Sequence, residues 1–118
     1  MAFRASHRYA RISARKVRPL ADLVRGKFAD EALEILRYQP HRGARMLEKV
    51  IMSAIGNAQD ADQNGGVAKN LEELVVTDAR IDGGPMFKRS QPRSRGQAFT
   101  ILKRTSHISV ILKSLEDL

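Results

Sequence analysis

Apolar positions along this chain recur with two periods, and the switches between them mark out the elements. At the N-terminus Phe3, Ala5, His7 and Tyr9 alternate with Arg4, Ser6, Arg8 and Ala10. A repeat of two predicts a half-buried strand with arginines on its outer face. From Ser13, a good N-cap, the period turns helical. Val17, Leu20, Ala21 and Val24 share one face, and Arg15, Arg18, Asp22 and Arg25 the opposite one. The helix is expected to reach about Arg25 and stop at Gly26. Pro19 removes one hydrogen bond and crowds the Arg15 carbonyl, so a kink or a late start is expected there. A second, short helix follows with Asp30 as its cap and Ala32, Leu33, Ile35 and Leu36 on one side, ending before Pro40. The third covers about residues 43–59. Its face of Ala44, Leu47, Val50, Ile51, Ala54, Ile55 and Ala58 is the cleanest helical repeat in the chain and predicts the centre of the core.

Residues 60–70 read as a polar loop around Asn64-Gly65-Gly66. Residues 74–82 are rich in β-branched side chains and read as a strand. Residues 83–96 form a basic loop with Pro85 and Pro92, and residues 99–112 a single long strand. The two strands with their loop are best read as one extended hairpin, whose arms could project on the order of 25 Å at ~3.3 Å per residue. Met86, Phe87 and Phe99 are its main apolar residues, so it is expected to be mobile alone and ordered by a surrounding partner. The sum is an α+β fold: a small three-stranded antiparallel sheet packed on three helices, with a long protruding basic β-hairpin. One domain is expected over residues 1–118, its body about 1–81 and 100–118 and its hairpin about 82–99.

Charge turns this outline into a function class. Residues 83–115 contain no Asp or Glu but hold Lys88, Arg89, Arg93, Arg95, Lys103, Arg104 and Lys113. Residues 1–27 carry Arg4, Arg8, Arg11, Arg15, Lys16, Arg18, Arg25 and Lys27 against Asp22 alone. Between them lie six basic and ten acidic residues, and the whole chain carries +8. Charge so segregated needs a dense polyanion, and nucleic acid is the commonest one. The hairpin favours arginine over lysine, and a guanidinium both forks onto phosphate and stacks on bases. That points to irregular, folded RNA. The candidate contacts are the cations just named up to Arg104, with His7 and His107 stacking on or donating to the RNA, or pairing the two strands. A nucleoid-type DNA-bending protein, which also uses a flexible basic hairpin tipped with proline, is the alternative. The third helix speaks against a helix-turn-helix, its outer face being weakly charged: Arg45, Glu48, Lys49 and Gln59.

Other chemistry finds little footing. Cysteine is absent, which excludes disulfides, thiolate metal sites and a cysteine nucleophile. Asp60-x-Asp62-x-Asn64-Gly65 copies the first half of a calcium-binding EF-hand loop, but Leu71 stands where a bidentate Glu is needed. A helix-terminating loop is the better reading. His7, His41 and His107 lie far apart and in no metal-ligand spacing. No nucleophile elbow accompanies Ser106 and His107. No enzyme, metal or cofactor is expected, and no membrane or small-molecule partner. The arginine-rich N-terminus looks like a transit peptide, but Tyr9 and Ile12 run straight into the helix pattern and assign it to the fold.

The run Asp82-Gly83-Gly84-Pro85-Met86-Phe87-Lys88-Arg89-Ser90-Gln91-Pro92-Arg93-Ser94-Arg95-Gly96, followed by Ile101-Leu102-Lys103-Arg104-Thr105-Ser106-His107-Ile108, closely resembles ribosomal protein twenty-two of the bacterial large subunit. Ala14-Arg15-Lys16-Val17-Arg18, Ala21-Asp22-Leu23-Val24-Arg25-Gly26-Lys27 and Ser53-Ala54-Ile55-x-Asn57-Ala58 resemble the same family. The resemblance implies a structural, cytoplasmic ribosomal protein, monomeric within the ribosome. It implies binding to large-subunit rRNA during assembly, contact with neighbouring ribosomal proteins, and a hairpin lining the exit tunnel beside the nascent polypeptide. Carried over residue by residue, the tunnel-facing positions are Met86, Phe87, Lys88, Arg89, Ser90, Gln91, Pro92 and Arg93.

Overall fold

The computed structural model describes residues 2–60 and 71–118. Strand β1 (Ala2–Ala10) leads into α1 (Ala14–Val24), α2 (Ala29–Arg37) and α3 (Arg42–Gln59). A 3-10 turn at Leu71–Glu73 opens β2 (Leu74–Gly83), then come β3 (Phe87–Pro92), β4 (Ala98–Lys103) and β5 (Ser106–Ser114). Strands β1, β5 and β2 form an antiparallel sheet in that order, while β3 and β4 form a separate hairpin. Of the loop expected over 60–70, and of the partial EF-hand pattern within it, residues 61–70 lie outside the described residues.

The core sits between α3 and one face of the sheet. Leu47, Ile51 and Ala54 are fully buried, as are Ile108, Val110 and Leu112 of β5. Burying each of the large ones stabilises by about 1.5–3 kcal/mol. The end of α2 is held by Arg45, whose guanidinium donates to the carbonyls of Leu36, Arg37 and Gln39. The Arg37 carbonyl belongs to the helix end, where carbonyls lack intrahelical donors, while that of Leu36 also accepts the Gln39 N–H. Glu48, the partner of Arg45, lies 2.9 Å away. Gly26 takes φ 84° after α1, and backbone bonds between Gly26 and Val76 and between Val76 and Lys27 tie that turn to β2.

The extents of 65 × 27 × 18 Å and the radius of gyration of 17.5 Å describe an elongated molecule. A compact chain of this length would have a radius near 13–14 Å. The hairpin accounts for the excess. Its residues are exposed along almost the whole length, Gln91 and Ile101 being half-buried.

Several local expectations are corrected. The long strand over 99–112 is two strands, broken at Arg104 and Thr105. On the facing arm Gly84 and Pro85 interrupt the ladder, Pro85 having no N–H to pair. Residues 87–92, read as loop, are strand β3. Asp30 is not the cap of α2. Phe28 is, because it still bridges Val75 in extended geometry, and Asp30 with Glu31 fills the first turn instead. Ser13 does occupy the N-cap of α1, yet its hydroxyl makes no capping bond. The same helix starts at Ala14 and runs through Pro19 as one element, with the ring on an exposed face. The alternation of β1 holds at Phe3 and Ala5 and fails from His7 on, His7 and Tyr9 both being exposed. A bulge between His7 and Ala10 turns Tyr9 outward at φ 59° and buries Ala10 in its place.

Candidate nucleic-acid interface

Two helix starts and the base of the hairpin enclose an open groove. The helices meet because Gly43, in the first turn of α3, lets that helix press on α1. A Cβ there would lie 3.1 Å from Val17 Cγ2 and 3.2 Å from Ile12 Cδ1. Arg42, one residue earlier, donates its guanidinium to the Arg11 carbonyl and locks the approach. The third wall is set by a clasp at the hairpin base. Gly84 N–H donates to the Thr105 carbonyl at 2.9 Å, and Thr105 Oγ1 donates to the Pro85 carbonyl at 2.6 Å. Arg104 reaches across to the Met86 sulfur at 3.4 Å.

Seven cations line the groove: Arg11, Arg15, Lys16, Arg42, Arg89, Lys103 and Arg104. None of the described lining residues is acidic. The backbone adds to the field. Neither α1 nor α3 has an acidic residue in its first turn or a side-chain cap on its free N–H groups. A helix start carries about half a positive charge and points its amides outward, which suits an anion. In contrast α2, whose start is not among the residues lining the groove, has Asp30 and Glu31 in its first turn. An adjoining hollow is lined by Arg15, Arg18, Met86 and Arg104. The arrangement can hold several closely spaced phosphates, and it presents the half-exposed Phe87 beside them.

The groove gathers residues from distant parts of the sequence: Arg11, Arg15 and Lys16 from the N-terminal arm, Arg89, Lys103 and Arg104 from the C-terminal one. Sequence reasoning missed Arg42 and His41, which also line it. Both sit in the middle segment of mixed charge, where no local excess marks them. The signal available was their place immediately before and within the first turn of the best-formed helix.

Other candidate cations stand elsewhere. Arg4 and Arg8 are exposed on β1, Arg8 lying 5.9 Å from the Tyr9 ring centroid. His7 is exposed opposite Ile108. Arg18 donates to the Ile81 carbonyl at 3.1 Å, and Arg25 to the Ala79 carbonyl and to Asp22. These two therefore fasten α1 to β2. His107 accepts the Tyr9 N–H on Nδ1 at 3.1 Å and meets the Tyr9 ring edge-on at 4.9 Å, so it pairs strands. Lys27 is exposed just past α1. Lys88 alternates onto the hairpin face opposite Arg89. Arg93 caps Phe99, and Arg95 sits at the tip with φ 62°. The positions carried over as tunnel-facing divide in the same way. Met86, Phe87 and Arg89 line concavities at the hairpin base, whereas Ser90, Gln91, Pro92 and Arg93 lie further out.

Among the described residues no group of His, Cys, Asp or Glu is placed to hold a metal ion, and no helix is long and apolar enough to cross a membrane. The sequence profile described as ribosomal protein L22p/L17e matches residues 5–113. A Rhodopirellula baltica protein named large ribosomal subunit protein uL22 is 69% identical over 115 residues, covering 98% of this chain and 97% of that protein. Proteins of the same name from Caldicellulosiruptor saccharolyticus and Maridesulfovibrio salexigens are 49% and 47% identical. They cover 95% and 98% of this chain, and the matches span 88% and 100% of those proteins.

Proposed function

The chain belongs to the ribosomal protein L22p/L17e family, structural components of the ribosome and not enzymes, and on that premise we propose that it binds large-subunit rRNA through its cationic groove while its hairpin lines the nascent-polypeptide exit tunnel. The observation that carries the reading is the groove itself: seven cations, two helix starts bare of acids, and no carboxylate among the described lining residues. Arginines there replace counterions between crowded phosphates, releasing them to solvent. RNA segments that would repel each other are held together, which supports assembly of the subunit. The exposed cations of β1 and the hairpin extend the contact over further rRNA. The protein acts as a monomer beside other ribosomal proteins in the cytoplasmic ribosome. With so little burial of its own, the hairpin takes its order from the surrounding rRNA, binding supplying the ordering free energy.

The test is direct binding of the whole chain to a large-subunit rRNA transcript. The triple variant Arg15→Gln, Lys16→Gln, Arg42→Gln should bind more weakly and lower the salt slope by about 2–3. A variant that binds as tightly as the parent would contradict the groove as interface. For the tunnel, a photo-crosslinker at Ser90, on the opposite face of the hairpin from Phe87, should capture a nascent chain in assembled subunits. Capture of rRNA alone would contradict that part. Competition by duplex DNA as strong as by rRNA would favour the DNA-bending alternative.

A further inference from the structure

The register of the hairpin sorts its side chains into two unlike faces. Phe87 pairs with Lys103, Arg89 with Ile101, and Gln91 with Phe99. Directly opposed residues share a face, so these form one surface. The other surface carries Lys88 with Leu102 and Ser90 with Thr100. On the first face both rings are half-exposed, Phe87 at 49% and Phe99 at 54%. Each has an arginine over it: Arg89 Cζ is 5.8 Å from the Phe87 centroid and Arg93 Cζ 5.8 Å from that of Phe99. Two ring–guanidinium pairs thus stand at ladder positions four residues apart, roughly 13 Å along the strand. The lower pair lines the groove together with Arg11, Arg15 and Arg42.

A phosphate-binding surface has no need of exposed rings, which weaken hydration without adding charge. A ring capped by guanidinium beside a row of cations is instead the chemistry that takes a base on its face while the backbone is held alongside. Paired bases in an A-form helix are stacked on each other and offer no free face, whereas unpaired ones do. We propose that this face of the hairpin is a stacking platform for unpaired RNA bases, with Phe87 seating a base whose neighbouring phosphates lie in the groove. The inference rests on the rRNA-binding reading above and deepens it: the groove prefers a single-stranded or bulged segment to a duplex. A nascent peptide is the competing occupant, but a peptide gives no use for the cations that flank Phe87 without an intervening acid.

The probe is a single-stranded ribo-oligonucleotide carrying one 2-aminopurine, whose fluorescence falls when the base stacks, titrated with the full chain. A 12-base-pair RNA duplex and the large-subunit rRNA transcript serve as companions. Phe87→Leu should weaken the single strand by roughly 5- to 100-fold and abolish the quenching, with duplex affinity and salt slope unchanged. Phe87→Tyr should restore both. Phe87 is half-exposed, so neither change threatens the fold. Equal quenching by the parent and Phe87→Leu would overturn the platform, as would an equal loss on single strand and duplex. Displacement of the oligonucleotide by an apolar peptide at equimolar amounts would overturn it in favour of the nascent chain. If the parent fails to bind the rRNA transcript, it is the underlying RNA-binding reading that falls.

Discussion

Replacing Gly84 by alanine should disturb the hairpin base out of proportion to one methyl group. A Cβ built there lies 2.6 Å from Thr105 Oγ1 and 3.3 Å from both Cε1 and Nε2 of His107. The hydroxyl cannot retreat easily. Thr105 is buried, its β-branched side chain has few rotamers, and the same oxygen donates to the Pro85 carbonyl. Either that bond, worth about 1 kcal/mol, breaks, or the backbone shifts at a cost of about 1–3 kcal/mol. A net loss of about 2 kcal/mol is expected. Its neighbour is the internal control: a Cβ on Gly83 meets nothing within 4 Å, so Gly83→Ala should stay within about 0.5 kcal/mol of the parent. Urea unfolding followed by circular dichroism measures both. Thr105→Ala removes the obstacle as well as the bond, so the double change Gly84→Ala, Thr105→Ala should cost less than the two single losses added together. Because the clasp aims one wall of the groove, Gly84→Ala should also weaken rRNA binding, whereas Gly83→Ala should not. Equal stability of the two glycine variants would refute the clasp.

Other changes separate binding from folding. Arg42→Gln should lower the salt slope of rRNA binding by about 1 and cost about 1 kcal/mol of stability, through its bond to the Arg11 carbonyl, as measured by filter binding and urea melts. Changing Lys88, Arg89, Arg93 and Arg95 together to alanine should weaken rRNA association and leave the melting temperature almost unchanged in calorimetry. All four are exposed, and a large drop would show that the hairpin belongs to the core. Ser106→Ala should be neutral or stabilising by up to about 1 kcal/mol in the same unfolding assay. Its hydroxyl is fully buried with no hydrogen-bond partner among the described residues, so its removal forfeits no bond.

How far the sequence speaks depends on the range of the interactions involved. The apolar face of α3 was legible because a repeat of 3.6 over eighteen residues leaves no other solution, and every expected core residue on it is buried. The hairpin was legible from turn residues and from apolar content too low for burial. What escaped was decided by partners distant in sequence. Phe28 displaces Asp30 as a cap because it bridges Val75, and Tyr9 leaves the alternation where its N–H finds His107. The break at Arg104 and Thr105 follows from Gly84 and Pro85 on the facing arm, some twenty residues away. Most of the candidate site was visible, because clusters of like charge named six of its seven cations: Arg11, Arg15, Lys16, Arg89, Lys103 and Arg104. Arg42 enters the groove only through the packing of Gly43 against α1, and no local count of charge could find it. Conversely Arg18 and Arg25 count as cations in sequence yet are tied to β2 carbonyls.

Salt dependence of binding to the large-subunit rRNA transcript tests the central claim most directly, since it counts the phosphates the cations neutralise. With about eight phosphates engaged, the logarithm of the association constant against that of salt concentration should fall with a slope of roughly −6 to −7. A slope near −2 would mean that the groove and its flanking arginines do not clamp rRNA.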